Sequence, residues 1–352
     1  MDKNSRIYVA GHSGMVGSAI WKKLKNDNYN NIFYDSVCDL RDQSRVHELF
    51  KTDKPDYVFL AAAKVGGIYA NLTRPAEFIY DNIMIASNVI HTSYKNNVKR
   101  LLNLGSSCIY PKFSDQPITE NQLLNGVLEK TNEPYAIAKI AAIKMIQYYK
   151  KQYGCDYISL MPTNLYGNND NYNLETSHVI PALLRKFILA KALKESNDEF
   201  IKNDITKNPI GYNLNNDVDM NTIIKQLESI GITKDYVEIW GSGEAYREFM
   251  HVDDLADACV YFMNIKDSSK IGNFINIGTG IDMKIIDIVY LIKNIVGFNG
   301  NVKFNKDKHQ GTPKKLLDVS KAKDLGWTAK INITNGLNKV YKNYINGSKI
   351  NE

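Results

Sequence analysis

Cysteine is scarce in this chain. Its four cysteines (Cys38, Cys108, Cys155 and Cys259) are scattered over 352 residues with no C-x-x-C pair, which argues against a disulfide framework or a cysteine-rich zinc site, and no metal centre is expected. No apolar run approaches the roughly 18–20 residues of a membrane span. Met1-Asp2-Lys3-Asn4-Ser5-Arg6 leads straight into a short strand pattern without the apolar stretch of a signal peptide. A soluble, reduced, cytoplasmic protein without a membrane partner is the expectation. There is also no run of five basic residues, although the net charge is +6. Nucleic acid is therefore not an expected partner, while small anions held by a local cationic cluster are. No internal repeat is visible.

What is present is alternation. Arg6–Ala10, Asn31–Tyr34, Tyr57–Ala61, Lys99–Leu104 and Tyr157–Met161 are short apolar runs, and amphipathic segments such as the one carrying Val16, Ile20 and Leu24 separate them. Short apolar strands between helical patterns predict a doubly wound parallel sheet with helices on both faces, an α/β fold of the Rossmann type. From about residue 194 to 235 the texture turns to Asn, Asp, Lys and Ile. That stretch reads as an insertion, mostly mobile surface, with one short helix near Thr222–Ile230.

Gly11-His12-Ser13-Gly14-Met15-Val16-Gly17 lies between the first strand and the first helix. Glycines there let backbone N–H groups approach a pyrophosphate at a helix N-terminus. Asp35, about 20 residues on at the end of the second strand, suits a ribose hydroxyl. Asp39, beside Leu40, is placed either to accept from an adenine amino group or to cap a helix.

Tyr135 and Lys139 are spaced i, i+4 and share one face of a predicted helix. An ammonium beside a phenol lowers the phenol's pKa and suits it to proton transfer. Gly105-Ser106-Ser107-Cys108-Ile109-Tyr110-Pro111 follows the fourth strand, where open α/β sheets bind ligands. A hydroxyl at Ser106 would stabilise a developing alkoxide there.

These segments resemble the extended short-chain dehydrogenase/reductases and, among them, the GDP-4-keto-6-deoxy-mannose 3,5-epimerase/4-reductases. The resemblance rests on GHSGMVGSAI, LAAAKVGGI, LGSSCIYPK, TNEPYAIAKI, MPTNLYG, SHVIPALLR, WGSGEAYREFMHVDD and GTPKKLLD, and covers nearly the whole chain except about 194–235. It implies that Tyr135 gives the proton for C4 reduction, supported by Ser106 and Lys139, and that Cys108 and His178 epimerise C3 and C5. A C4 ketone acidifies both hydrogens, and inversion needs one group on each face of the sugar. The resemblance further implies cofactor contacts from Gly11, Ser13, Gly14, Met15, Val16, Gly17, Ala62, Lys139 and His178, with Asp35, Asp39 and Leu40 beside them. A GDP-sugar would be held by Asn164, Arg185, Lys186, Trp240, Arg247 and Lys315.

The same resemblance implies NADP(H), a homodimer and two domains. Residues 1–165 with segments near 240–280 would carry the dinucleotide, and 166–239 with 281–345 the substrate. Ser13 stands where relatives commonly have arginine, and Asp35 favours a free ribose 2′-OH, so NAD(H) stays open. A GDP-6-deoxy-4-keto-heptose would suit the same catalytic groups, with or without epimerisation. A non-catalytic dinucleotide sensor is the reading from a different class, and the presence of Ser106, Tyr135 and Lys139 counts against it.

Overall fold

Residues buried on both faces of a sheet cannot alternate apolar with polar, and the first strand buries all four of its side chains. In the computed structural model, which describes residues 1–210, 218–307 and 312–348, this strand is β1 (Ile7–Ala10). It is followed by β2 (Ile32–Phe33), β3 (Tyr57–Leu60), β4 (Arg100–Leu104), β5 (Tyr157–Pro162) and β6 (Asn164–Tyr166). Then come β7 (Tyr236–Trp240), β8 (Tyr246–His251), β9 (Ile275–Ile277), β10 (Asp282–Lys284), β11 (Asn301–Asn305) and β12 (Lys314–Lys315). Six of them form one parallel sheet in the order β2-β1-β3-β4-β5-β9. The order reverses beside β1, so β1 and β3 flank the switch point at which such sheets bind ligands. The expected doubly wound α/β fold is the observed one.

The helices are α1 (Met15–Asn26), α2 (Gln43–Asp53), α3 (Ile68–Thr73), α4 (Pro75–Lys95), α5 (Glu133–Tyr153) and α6 (Val179–Lys194). They continue with α7 (Asp198–Lys207), α8 (Met220–Ser229), α9 (Val252–Met263), α10 (Ile285–Val296), α11 (Ser320–Asp324) and α12 (Ile333–Ser348). Ile7 and Val9 pack on one face of the sheet with Ile20, Leu24 and the apolar side of α9. Tyr8 and Ala10 pack on the other with Val46, Phe50 and Val89. That period of two splits the core into two layers. Pro134 opens α5 and Gly154, in the left-handed region, closes it.

A second assembly centres on β8. It pairs antiparallel with β10, parallel with β12, and parallel with β6. β7 and β11 form a separate parallel pair. Around them α6, α7, α8, α10 and α12 enclose an apolar core of their own.

The expected mobile surface between 194 and 235 is corrected by two packed helices. Asn197 and Asp219 cap α7 and α8 by accepting from the N–H groups of Phe200 and Thr222. Ile201, Ile205, Ile223 and Leu227 are buried in the second core. The one short helix expected near Thr222–Ile230 is α8, and the spacing of α7 was hidden by the polar residues of its exposed face. Asn213-Leu214-Asn215-Asn216-Asp217 lies outside the described residues. No helix among the described residues is long and apolar enough to cross a membrane.

Candidate active site

The turn after β1 is built for close approach. Gly11 has φ +85°, and a Cβ on it would lie 2.7 Å from the backbone of Ala62, which follows β3. A Cβ on Gly17 would lie 2.0 Å from the Gly11 carbonyl oxygen. At Gly14 the nearest atom would be 3.6 Å away, so the fold itself tolerates a side chain there. A pyrophosphate lying against the turn does not, which fits a dinucleotide. Gly14 is also the N-cap of α1; no side chain caps that end and no acidic residue sits in its first turn. The N–H groups and the positive end of the helix dipole are left to an outside anion. Ser13 is exposed, while Met15 and Val16 are partly buried against the sheet core.

Beyond β2, Asp35 accepts from the N–H groups of Val37 and Cys38 at 2.7 and 3.0 Å, so it shapes its own turn. His12 stacks on Tyr34, with ring centroids 3.6 Å apart. Both oxygens of Asp39 take the Arg41 guanidinium, whose hydrogen bonds hold the Asp39 pKa down to about 2. The cap of α2 is Asp42 rather than Asp39. Leu40 is partly buried, and its carbonyl accepts from Asn88.

At the end of β4 the chain breaks into a short turn, Ser107–Ile109, which Ser106 caps by accepting from the Cys108 N–H. The Cys108 thiol donates to the same Ser106 oxygen at 3.1 Å. Tyr135, in the first turn of α5, lies close enough to Ser106 for the serine to draw its phenol pKa down. Lys139, one turn further, donates to the Leu104 carbonyl at 2.8 Å and lies 5.6 Å from the Tyr135 ring centroid. Ser106, Cys108, Tyr135 and Lys139 are thus gathered at the carboxyl end of β4.

The electrostatics differ from the simple expectation in one respect. Burial, and then Cys108, push the Tyr135 phenol above its ordinary range, with only Ser106 drawing it down. Burial also lowers Lys139 to about 8. The phenol therefore keeps its proton at neutral pH, as a proton donor must. Burial raises the Cys108 thiol while Lys315, Ser106 and Lys139 pull it down. His178 is the N-cap residue of α6 and is exposed. Desolvation, then the charge of Lys315, lower its pKa. At rest the pair is a thiol that can give a proton and a neutral imidazole that can take one.

Two cations close the cleft. In the parallel pairing of β12 with β8, Lys315 is the partner of Arg247. Burial lowers the pKa of each, and the Arg247 charge lowers Lys315 further. Like charges held side by side in a partly buried cleft are a waiting anion site. Asn164, on β6, donates to the Glu248 carbonyl at 2.8 Å. Trp240 ends β7, half exposed. Lys186 donates to the carbonyls of Ile230 and Glu238, and burial lowers it to about 8.

Arg185 is corrected. It is fully buried and paired with Asp204, also fully buried, at 2.7 Å. Its other donors reach the carbonyls of Tyr172 and Asn208, so it is a strut of the second core, with no donor facing the cleft. Sequence reading could not separate it from the adjacent Lys186 because its acidic partner lies 19 residues away on α7. Removing one member of a buried pair leaves the other uncompensated. Arg185→Met should cost about 3–5 kcal/mol in urea unfolding, and Arg185→Met with Asp204→Leu should recover much of it. A loss below about 1 kcal/mol for the single variant would refute the strut.

Residues missed from sequence also line the cleft beside Cys108 and Lys315: Lys112, Glu129 and Asn132. Lys112 and Glu129 are ion-paired at 2.8 Å. Lys112 and Asn132 lay inside the recognised segments LGSSCIYPK and TNEPYAIAKI, which was the available signal. Glu248, next to Arg247, was missed as well.

Residues 7–206 and 188–278 match the NAD dependent epimerase/dehydratase family. GDP-L-fucose synthase 1 of Arabidopsis thaliana is 45% identical over 346 residues, covering 98% of this chain and 94% of its own length. Among solved structures, a GDP-6-OMe-4-keto-L-xylo-heptose reductase from Campylobacter jejuni superimposes with a TM-score of 0.91 at 40% identity over 99% of each chain. A GDP-mannoheptose C4 reductase from Campylobacter jejuni with NADP bound gives a TM-score of 0.85 at 41% identity, over 98% of this chain and 99% of that one. The chain belongs to the NAD dependent epimerase/dehydratase family and is a relative of the GDP-L-fucose synthases and GDP-heptose reductases within it.

Proposed function

We propose that this chain is an NADPH-dependent 3,5-epimerase and C4 reductase of a GDP-4-keto-6-deoxy sugar, the mannose-derived hexose. The observation that carries it is the cluster of Ser106, Cys108, Tyr135 and Lys139, with the Arg247–Lys315 cation pair beside it. Arg247 and Lys315 hold the diphosphate, with Asn164, Lys186 and Trp240 along the nucleotide sugar. Cys108 and His178 move protons at C3 and C5, one on each face. Tyr135 then gives its proton to the C4 oxygen, while Ser106 donates to the same oxygen as its charge develops.

NADPH, when bound, supplies the hydride. The glycine turn, with Ala62 against it, carries its pyrophosphate, and Lys139 holds the nicotinamide ribose beside Tyr135. Asp35, Asp39 and Leu40 lie along its adenosine end. The structure of a relative with NADP bound supports NADP(H) over NAD(H). In this reading residues 1–165 with segments near 240–280 carry the cofactor and 166–239 with 281–345 the substrate. The enzyme works in the cytoplasm as a homodimer. Exposed Tyr80 on α4 and Ile137 and Tyr148 on α5 support an apolar face for a second copy.

A second reading, C4 reduction of a GDP-6-deoxy-4-keto-heptose, is favoured by the overlay on a heptose reductase. Product NMR in D₂O separates the two. Deuterium at C3 and C5 of a reduced hexose is the expected result. Reduction without that label leaves a plain C4 reductase, and turnover of the heptose alone overturns the hexose assignment.

A further inference from the structure

We infer that Glu248 is the positioning residue of the diphosphate site, its carboxylate clamping Lys315 against Arg247. This rests on the nucleotide-sugar reading of the same cleft. Glu248 lies in β8 beside Arg247 and is fully buried. One carboxylate oxygen accepts from the Thr279 N–H at 2.6 Å, the Gly280 N–H at 2.8 Å and the Thr279 hydroxyl at 3.3 Å. The other accepts from the Leu317 N–H at 3.1 Å, two residues after Lys315. Its carbonyl takes the Asn164 amide. One residue therefore joins β6, β8, the turn after β9 and the end of β12. Gly278 makes room for it, since a Cβ there would lie 2.2 Å from the carboxylate oxygen.

The side chain is acceptor on both edges. A glutamine cannot copy this, because whichever way the amide turns, its NH₂ meets a backbone N–H and one edge loses its bond. The charges that act on Lys315 are those of Cys108, Arg247 and Glu248, Lys315 in turn acts on His178, and Lys112 and Glu129 line the same cleft. Arg247 works against the Lys315 proton, while Cys108 and Glu248 favour it, so losing the carboxylate charge moves the loss of that proton to lower pH.

Plain electrostatics predicts the opposite affinity change. Glu248 as a bystander anion would repel a diphosphate, and Glu248→Gln would then tighten binding. As a clamp, Glu248→Gln weakens it. The test is calorimetric titration of GDP into the full-length chain between about pH 6 and 10, with NADPH binding as the check on folding. Glu248→Gln should weaken GDP about tenfold, shift the alkaline loss of GDP affinity to lower pH, and raise KM for the GDP-sugar more than it lowers kcat. Glu248→Asp keeps the charge and should restore the alkaline limb while recovering part of the affinity. Unchanged or tighter GDP binding by Glu248→Gln overturns the clamp alone. If Glu248→Gln fails to fold, an alkaline limb in Glu248→Asp displaced from that of the wild type overturns it instead. No GDP binding by the wild-type chain overturns the nucleotide-sugar reading and the clamp together.

Discussion

Tyr135→Phe lowers C4 reduction by about 10²–10⁴-fold, the range for loss of a positioned general acid, while NADPH binds as before. The phenol is partly buried, close to Ser106 and pushed above its usual pKa. Phenylalanine fills the same volume and removes only the oxygen. Lys139 keeps its bond to the Leu104 carbonyl, so the cofactor side of the site is untouched. Exchange of C3 and C5 hydrogens with D₂O should continue, because Cys108 and His178 do not need the tyrosine proton. Single-turnover reduction and NADPH fluorescence measured on the same sample decide it. Equal loss of reduction and cofactor binding would show that Tyr135 holds the fold of the site rather than the proton.

The complementary variant is Cys108→Ser. Solvent deuterium at C3 and C5 should fall by about 10²–10⁴-fold, while reduction at C4 persists on the unepimerised sugar. The hydroxyl can reproduce the donation from Cys108 to Ser106, so Ser106 and Tyr135 keep their places, yet an alcohol is a far weaker proton-transfer group than a thiol at neutral pH. The product would be a reduced sugar with its original C3 and C5 configuration. Full deuterium incorporation by Cys108→Ser would remove the cysteine from the epimerisation and point to a different pair.

The fold and the chemistry were legible to different depths. The parallel sheet could be read because its strands are short, largely apolar runs, and the glycine turn because Gly11, Gly14 and Gly17 lie within seven residues. Tyr135 and Lys139 could be paired because a helix brings i and i+4 together. The strand β9 escaped notice at three residues long. Arg185 was misassigned and Glu248 overlooked for one reason: their roles depend on partners distant in sequence. Asp204 is 19 residues from Arg185, and Leu317 is 69 from Glu248. A charge on an apolar strand or helix can be flagged locally, but whether it faces a ligand or a buried partner is a tertiary property. Of the two helices between 194 and 235, α8 was read as a short helix near Thr222–Ile230, while α7 was hidden because half of it is exposed and polar.

The two-residue strand β12 has a consequence for how the enzyme is made. The segment 314–318 is stitched to Ile118 through the Leu316 carbonyl and the Asp318 N–H, to Gln116, and to Glu248. Every one of those contacts spans 69 residues or more. A chain emerging from the ribosome can close the glycine turn early, whereas Lys315 reaches Arg247 only after β12 has followed β8 out. The nascent protein therefore passes through a long interval in which the first sheet strands can pair and no diphosphate site exists. Catalytic competence therefore waits on the segment 314–318.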